Sequence, residues 1–222
     1  VYYFYSFFSL NKKESVNFSV PTGNFGDVYA GYLAKKIGLP INKFIVATNQ
    51  NDILHRAITN GAYNVENVLE TISPSMDIQI ASNFERLIFD LNNHSDKKTV
   101  EVMKSIKEEG KYEIQKELLG KINADFLSSR MDEKEVLNTI KAVYEKFNKV
   151  LDPHSAIGYG AFDKVNLKGN NIVLATAHPC KFPDAIEKAI NLKAELPNEL
   201  AFILDEKENY DIIENNVTKI KK

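Results

Sequence analysis

The stretch from Val16 to Gly31, VNFSVPTGNFGDVYAG, reads as a buried strand, a glycine-bounded turn and the start of a helix in immediate succession. Val16, Phe18 and Val20 alternate with Asn17 and Ser19 at the strand period. Pro21 withdraws a backbone donor where the ladder would stop, so the strand is expected to end at Val20. Thr22 to Asp27 turn the chain, and Val28, Leu33 and Ile37 predict the inward face of a helix closed by Gly38 and Pro40. The amides that open such a helix have no carbonyl partners, and the helix dipole adds partial positive charge there. An anion with several oxygens, a phosphate above all, fits without any basic side chain. The other reading is a plain strand-to-helix turn whose glycines serve only the backbone. Neither GxxxxGK[ST] nor GxGxxG is present, and spacing leaves both readings open.

Outward from this stretch, Lys43 to Thr48 is a short apolar run, Asn49 to Asp52 a polar turn, and Ile53 to Thr59 a helix. The strand–loop–helix order repeats, which predicts an α/β fold with an open, mostly parallel sheet and flanking helices. Loops after the carboxyl ends of parallel strands gather on one edge, so Asn24 and Asn49 to Asp52 belong to the functional side. Asp52 reads as a helix cap, with a cofactor or substrate role as the alternative, and His55 and Arg56 read as surface residues. Ser73 to Asp77 is a second polar turn, with Ile78 and Ile80 alternating after it. Ser82 or Asn83 is expected to cap a helix carrying Phe84, Leu87, Ile88 and Leu91, with Glu85 in its first turn. Arg86 reads as part of a solvent-facing ion pair, with a carboxylate or phosphate contact as the alternative.

From Asn92 to Lys149 the composition turns charged and helix-forming, predicting helices outside the sheet or a subdomain over about 92–150, with no independent second domain in 1–222. Val136, Ile140, Val143, Tyr144 and Phe147 fall on one helical face that Asp132 starts as a cap, and Phe126 to Ser129 is a possible strand. At Asp152-Pro153-His154 a break precedes a helix in which Gly158 and Gly160 allow close packing. His154 has the pKa range of an acid/base group, but a hydrogen bond within the loop is the favoured role. Asn171 to Ala175 is the clearest later strand, and Thr176 at its end is placed to hydrogen-bond a ring nitrogen. Cys180 reads as packing and Lys181 as a solvent-facing amine. Leu200 to Leu204 reads as a strand, and Tyr210, Ile213, Val217 and Ile220 as an amphipathic terminal segment.

The 222 residues, 44% hydrophobic and 26% charged with a net charge of -2, suffice for a sizeable core. No basic run or basic aromatic face favours nucleic acid, and Lys219, Lys221 and Lys222 read as a solvated helix end. The single cysteine, Cys180, suits a reducing cytoplasm. His55, His94, His154 and His178 are scattered, with no CxxC or HExxH, so no metal site is expected. Val1 to Leu10 is apolar and aromatic but too short to span a bilayer. With no initiator methionine and Met76 the first, the chain reads as a fragment opening on the end of a core helix, a signal-peptide remnant being the alternative.

Taken together, PTGNFGD (21–27), ATNQNDILHR (47–56), SPSMDIQIASNFERLIFDL (73–91), DPHSAIGYGAF (152–162) and ATAHPCKFPDAIEKA (175–189) closely resemble threonine synthase. The resemblance covers most of the chain and implies a pyridoxal-phosphate enzyme of fold type II, tryptophan synthase beta-like. It implies conversion of O-phospho-L-homoserine and water into L-threonine and phosphate. By the same resemblance Gly23, Asn24, Phe25, Gly26 and Asp27 hold the cofactor's phosphate, with packing as the alternative role of the Phe25 ring, and Thr176 meets the pyridine nitrogen. A neutral hydroxyl there leaves the ring less protonated, which suits elimination and replacement chemistry. The lysine that carries the cofactor lies upstream of GNFGD in the family, outside these residues. The 222 residues alone are therefore expected to be inactive and to need the N-terminal part of the same polypeptide. SPSMD and SNFER border the site in the family, while Asn51, Asp52, Asn83, Arg86 and His154 receive no individual role. Two alternatives stay open: another pyridoxal-phosphate lyase of the same fold, acting on serine or threonine, and a catalytically inactive relative serving as a binding module.

Overall fold

The computed structural model describes residues 1–10 and 14–221; Lys222 lies outside them. The strands, in chain order, are β1 (Val16–Pro21), β2 (Ile41–Thr48), β3 (Ala62–Asn64), β4 (Lys111–Glu113), β5 (Phe126–Arg130) and β6 (Asn170–Val173). A four-stranded sheet in the order β5-β2-β1-β6 is parallel throughout, and β3 and β4 form a small antiparallel pair. The helices are α1 (Tyr2–Ser9), α2 (Gly26–Lys36), α3 (Ile53–Asn60), α4 (Phe84–Leu91), α5 (Asp96–Glu109), α6 (Lys116–Asp125), α7 (Glu133–Phe147), α8 (Pro153–Val165), α9 (Pro183–Ile190) and α10 (Val217–Ile220).

Strand alternation supplies both cores. Phe44 and Val46 of β2 join Phe18, Phe25 and Phe126 under α1 to α6, while Ile45 and Ala47 meet Val136, Ile140, Ile157 and Ala161 of α7 and α8 on the opposite face. A sheet covered on both sides buries every residue of β1, and its polar side chains are satisfied: Ser19 Oγ donates to the Gly158 carbonyl at 2.6 Å and Asn17 Nδ2 to Asn171 Oδ1 at 2.8 Å. α8 lies close on β1 because residue 158 is glycine; a Cβ there would meet the Pro21 ring at 3.0 Å.

Several expectations change. β1 runs one residue further than Val20, because the donor Pro21 lacks would face β6, whose last ladder bond is Leu174 N–H to the Ser19 carbonyl; toward β2 the bonding continues with Thr22 N–H to Ala47 at 2.8 Å. α2 turns inward on Val28, Gly31, Tyr32 and Ala34, leaving Leu33 45% and Ile37 75% exposed. Residues 28, 31 and 32 follow the three- and four-residue helical step, and Leu33 does not. β6 ends at Val173, and Ile78 and Ile80 lie in a strandless segment. Within the charged segment, the possible strand at Phe126 forms β5 beside β2, and Asp132 caps α7 in a capping box with Glu135. In place of a strand at 200–204 there is a 3-10 helix, Asn198–Asp205, following Pro197. Tyr210, Ile213, Val217 and Ile220 are all exposed, so among the described residues the expected apolar face of the terminal segment is not buried.

Candidate functional site

The carboxyl ends of β1 and β6 open into a cleft of about 570 Å³, lined by Pro21, Asp27 and the run from Leu174 to Thr176, with Tyr2 and Ser6 of α1 on its rim. Of the glycine turn, Asp27 lines this cleft together with Thr176.

Thr22 fixes the start of the turn, donating its hydroxyl to the Val20 carbonyl at 2.6 Å. Phe25 then adopts a left-handed backbone (φ +67°) and begins α2 without a side-chain cap. Its ring is 1% exposed, with ring centroids 5.2 Å from Phe84 and 5.8 Å from Phe126, and this burial offsets the strained backbone. Among the described residues, no protein acceptor takes the amides of Gly23, Asn24, Phe25, Gly26 or Asp27. The loops that follow hold the turn from behind. A Cβ at Gly23 would sit 2.8 Å from the Ser75 carbonyl; the Asn24 side chain accepts from Ser82 Oγ at 2.8 Å, and its carbonyl from the Asn83 amide at 3.3 Å. Tyr3 of α1 donates to the Asp27 carbonyl at 2.8 Å, and burial raises the Asp27 carboxyl above the ordinary carboxylate range.

The Asn49 to Asp52 loop is tied to its neighbours by side-chain bonds within the protein. Asn49 and Asn51 donate to Asp77 Oδ1 at 2.7 and 2.9 Å, and the Asp77 carboxylate also accepts from the Thr71 amide, so these residues brace the loop behind Gly23. Asp52 makes no cap bond; its carboxylate pairs with Arg56 at 2.8 Å and Arg130 at 3.7 Å. Arg56 is not a free surface residue, since it also donates to the Asn64 carbonyl at 2.9 Å. His55 lies 3.1 Å from Ser128 Oγ, and burial lowers its pKa. Neither Ser82 nor Asn83 caps α4 through its side chain. Arg86 stands 5.9 Å over the Tyr29 ring rather than in an ion pair among the described residues.

On the far wall, Thr176 is exposed to the cleft, and its amide donates to Ser155 Oγ at 3.1 Å. Ser155 Oγ donates in turn to the Asp152 carboxylate, which caps α8 and accepts from the amide of His154 at 2.9 Å and from its Nδ1 at 3.0 Å. Burial works to raise the Asp152 carboxyl, but the hydrogen bonds from His154 and Ser155 outweigh it and hold it below the ordinary range. The His154 ring packs 4.8 Å from Phe182, with Nε2 buried and without a partner among the described residues. Cys180 is half-buried, its sulfur 2.9 Å from His178 Nδ1, and Lys181 is exposed. Sequence reasoning passed over Tyr2, Tyr3 and Ser6, which come from an unremarkable aromatic run, and Ser155, whose link to Thr176 spans 21 positions. Among the described residues there is no cluster of His, Cys, Asp and Glu suited to a metal ion, and no helix long and apolar enough to cross a membrane.

Comparison with known proteins adds three findings. The family described as threonine synthase, C-terminal, matches residues 155–222. The chain is 41% identical over its whole length to a threonine synthase of Pseudomonas aeruginosa and 44% identical over 86% of its length to that of Saccharomyces cerevisiae, covering 48% and 41% of those proteins. It thus spans about half the length of the curated relatives it matches. Among solved structures, threonine synthase from Brucella melitensis, with PLP bound, aligns over 99% of this chain and 48% of its own at a TM-score of 0.93 and 42% identity. The yeast enzyme aligns over 93% of this chain and 46% of its own at 0.84.

Proposed function

We infer that the chain belongs to the threonine synthase family, since its whole length aligns with about half of one such enzyme at 41% identity and 99% of it matches the fold of another. From that premise we propose that it forms the cofactor-phosphate and ring-nitrogen side of a pyridoxal-phosphate enzyme converting O-phospho-L-homoserine and water into L-threonine and phosphate. The observation that carries this reading is a cleft lined both by Thr176 and by Asp27, the last residue of a turn whose amides take no protein acceptor among the described residues.

The residues present fit the cofactor. Backbone donors at the start of α2, aided by its dipole, take the phosphate with no basic side chain. Thr176 offers the ring nitrogen a neutral partner, and Pro21 and Leu174 give the cleft an apolar wall. When bound, the cofactor supplies the electron sink for proton removal at the substrate's reacting carbons. The lysine that carries the cofactor lies outside these residues on this reading, so the remainder of the polypeptide is a required partner and the 222 residues alone are inactive. The single cysteine fits a cytoplasmic setting.

The test is phosphate release and threonine formation from O-phospho-L-homoserine by the full-length protein, assayed beside serine and threonine as substrates. Turnover of phosphohomoserine to threonine is expected. Turnover of serine or threonine alone would assign a different lyase, and no turnover of any would leave a binding module.

A further inference from the structure

The phosphate turn is held by two loops and a helix, whereas Thr176 has no comparable packing, and this asymmetry draws attention to what fixes it. The last ladder bond of β6 is made by Leu174, and beyond it Ala175 and Thr176 are exposed. The tie that Thr176 makes is its amide bond to Ser155 Oγ at 3.1 Å. Ser155 is 2% exposed, and its hydroxyl works in both directions, accepting from Thr176 and donating to Asp152, which is 1% exposed. A hydroxyl that donates to a carboxylate is a stronger acceptor for its other partner. The anchor is itself rigid. Asp152 accepts from the amides of His154 and Ser155 and from the His154 ring, and α8 is pinned on β1 by Ser19 Oγ and the close approach of Gly158 to Pro21.

We propose that Ser155, anchored by Asp152, is a positioning residue that sets the Thr176 hydroxyl against the cofactor's ring nitrogen. The proposal rests on the reading of the cleft as the cofactor site. Because α8 and the phosphate turn are both built on β1, the two ends of the cofactor are registered against one strand. Ser155 then carries the geometry from that strand to a loop with no ladder bonds of its own. The contribution is of one hydrogen bond with a buried acceptor, so its loss weakens cofactor binding by about tenfold and acts on the ring end of the ligand.

The experiment uses the full-length protein loaded with pyridoxal phosphate labelled with ¹⁵N in the ring, read by cofactor dissociation constant, ¹⁵N shift and the ³¹P shift of the cofactor phosphate. Ser155→Ala is expected to raise the dissociation constant about tenfold and to move the ring ¹⁵N resonance while leaving ³¹P in place. Ser155→Cys, which keeps the volume but offers a poor acceptor, gives the same pattern and decides the matter should the alanine variant not fold. Asp152→Asn moves ¹⁵N in the same direction by less. An unchanged ¹⁵N shift, or ¹⁵N and ³¹P shifts that move together as a general loosening would move them, overturns the proposal. Failure of the unsubstituted protein to bind the cofactor at all overturns instead the functional reading beneath it.

Discussion

Phe25 illustrates how much one position can carry. Its left-handed backbone frees the amides of the turn, and its ring is buried against Phe84 and Phe126. Phe25→Ala is expected to lower unfolding free energy by about 3–5 kcal/mol in a urea titration, the range for emptying an aromatic site. Gly23 carries a complementary demand, since its role is space. Gly23→Ala pushes a methyl toward the Ser75 carbonyl, 2.8 Å away, and the expected result is a turn shifted from its loop. Phosphate affinity, followed by ³¹P titration of the full-length protein, should fall while the secondary structure stays the same. The turn itself was legible in the sequence, because alternation, proline and glycine spacing are local signals. A packing role for the Phe25 ring was one of the two expected of it, but the buried face of α2 was not legible, because the helix turns on Val28, Gly31 and Tyr32 rather than Leu33 and Ile37 for reasons that lie in Tyr3, Phe44 and Phe126. Arg56 and Arg86 escaped because each also found a partner elsewhere in the chain, at the Asn64 carbonyl and the Tyr29 ring, whereas the Asp52–Arg56 pair is a local i,i+4 contact that the capping reading passed over.

Between elements, Asp90 ties α4 to α2. It accepts from the Tyr32 hydroxyl and from Lys36 at 2.9 Å, and lies 2.9 Å from His94 Nε2. Burial alone would raise its pKa, but the bonds from Tyr32, Lys36 and His94 prevail and lower it to about 2. A carboxyl depressed in the folded state stabilises above its unfolded pKa of about 4, and that contribution is lost as pH falls toward 2. Asp90→Asn should therefore be less stable than the parent at neutral pH, with the gap closing below about pH 4 in an acid titration followed by circular dichroism. The Asp132 capping box offers a simpler case, legible from Asp-x-x-Glu alone. Asp132→Ala should cost about 1 kcal/mol, visible in the chemical denaturation midpoint. Phe126 to Ser129, a possible strand between helices in the sequence, becomes β5 because β2 lies beside it to pair with. The run at 200–204 is more apolar in sequence, yet it pairs with no strand among the described residues, and its backbone bonds close locally into a 3-10 helix.

At the level of the molecule, β1 lies between β2 and β6 with helices on both sides, and the cleft opens where β1 and β6 end. Parallel order puts the loops after β1 and β6 on one edge, so the two walls of the proposed site follow from strands read separately. The link that sets their spacing, through α8 and Ser155, runs between distant positions and leaves no local pattern. A ligand that engages both walls must stabilise more than one that engages a single wall. Pyridoxal phosphate at a hundred times its dissociation constant should add about 2.7 kcal/mol to the stability of the full-length protein. Inorganic phosphate at the same concentration, filling the turn but not reaching Thr176, should add less. In Thr176→Val the cofactor keeps its phosphate contacts and loses the ring contact, so its melting-temperature advantage over phosphate should shrink while the phosphate shift is unchanged. Equal advantages in parent and variant would mean that the hydroxyl at 176 does not meet the ring, and the two walls would then belong to different ligands.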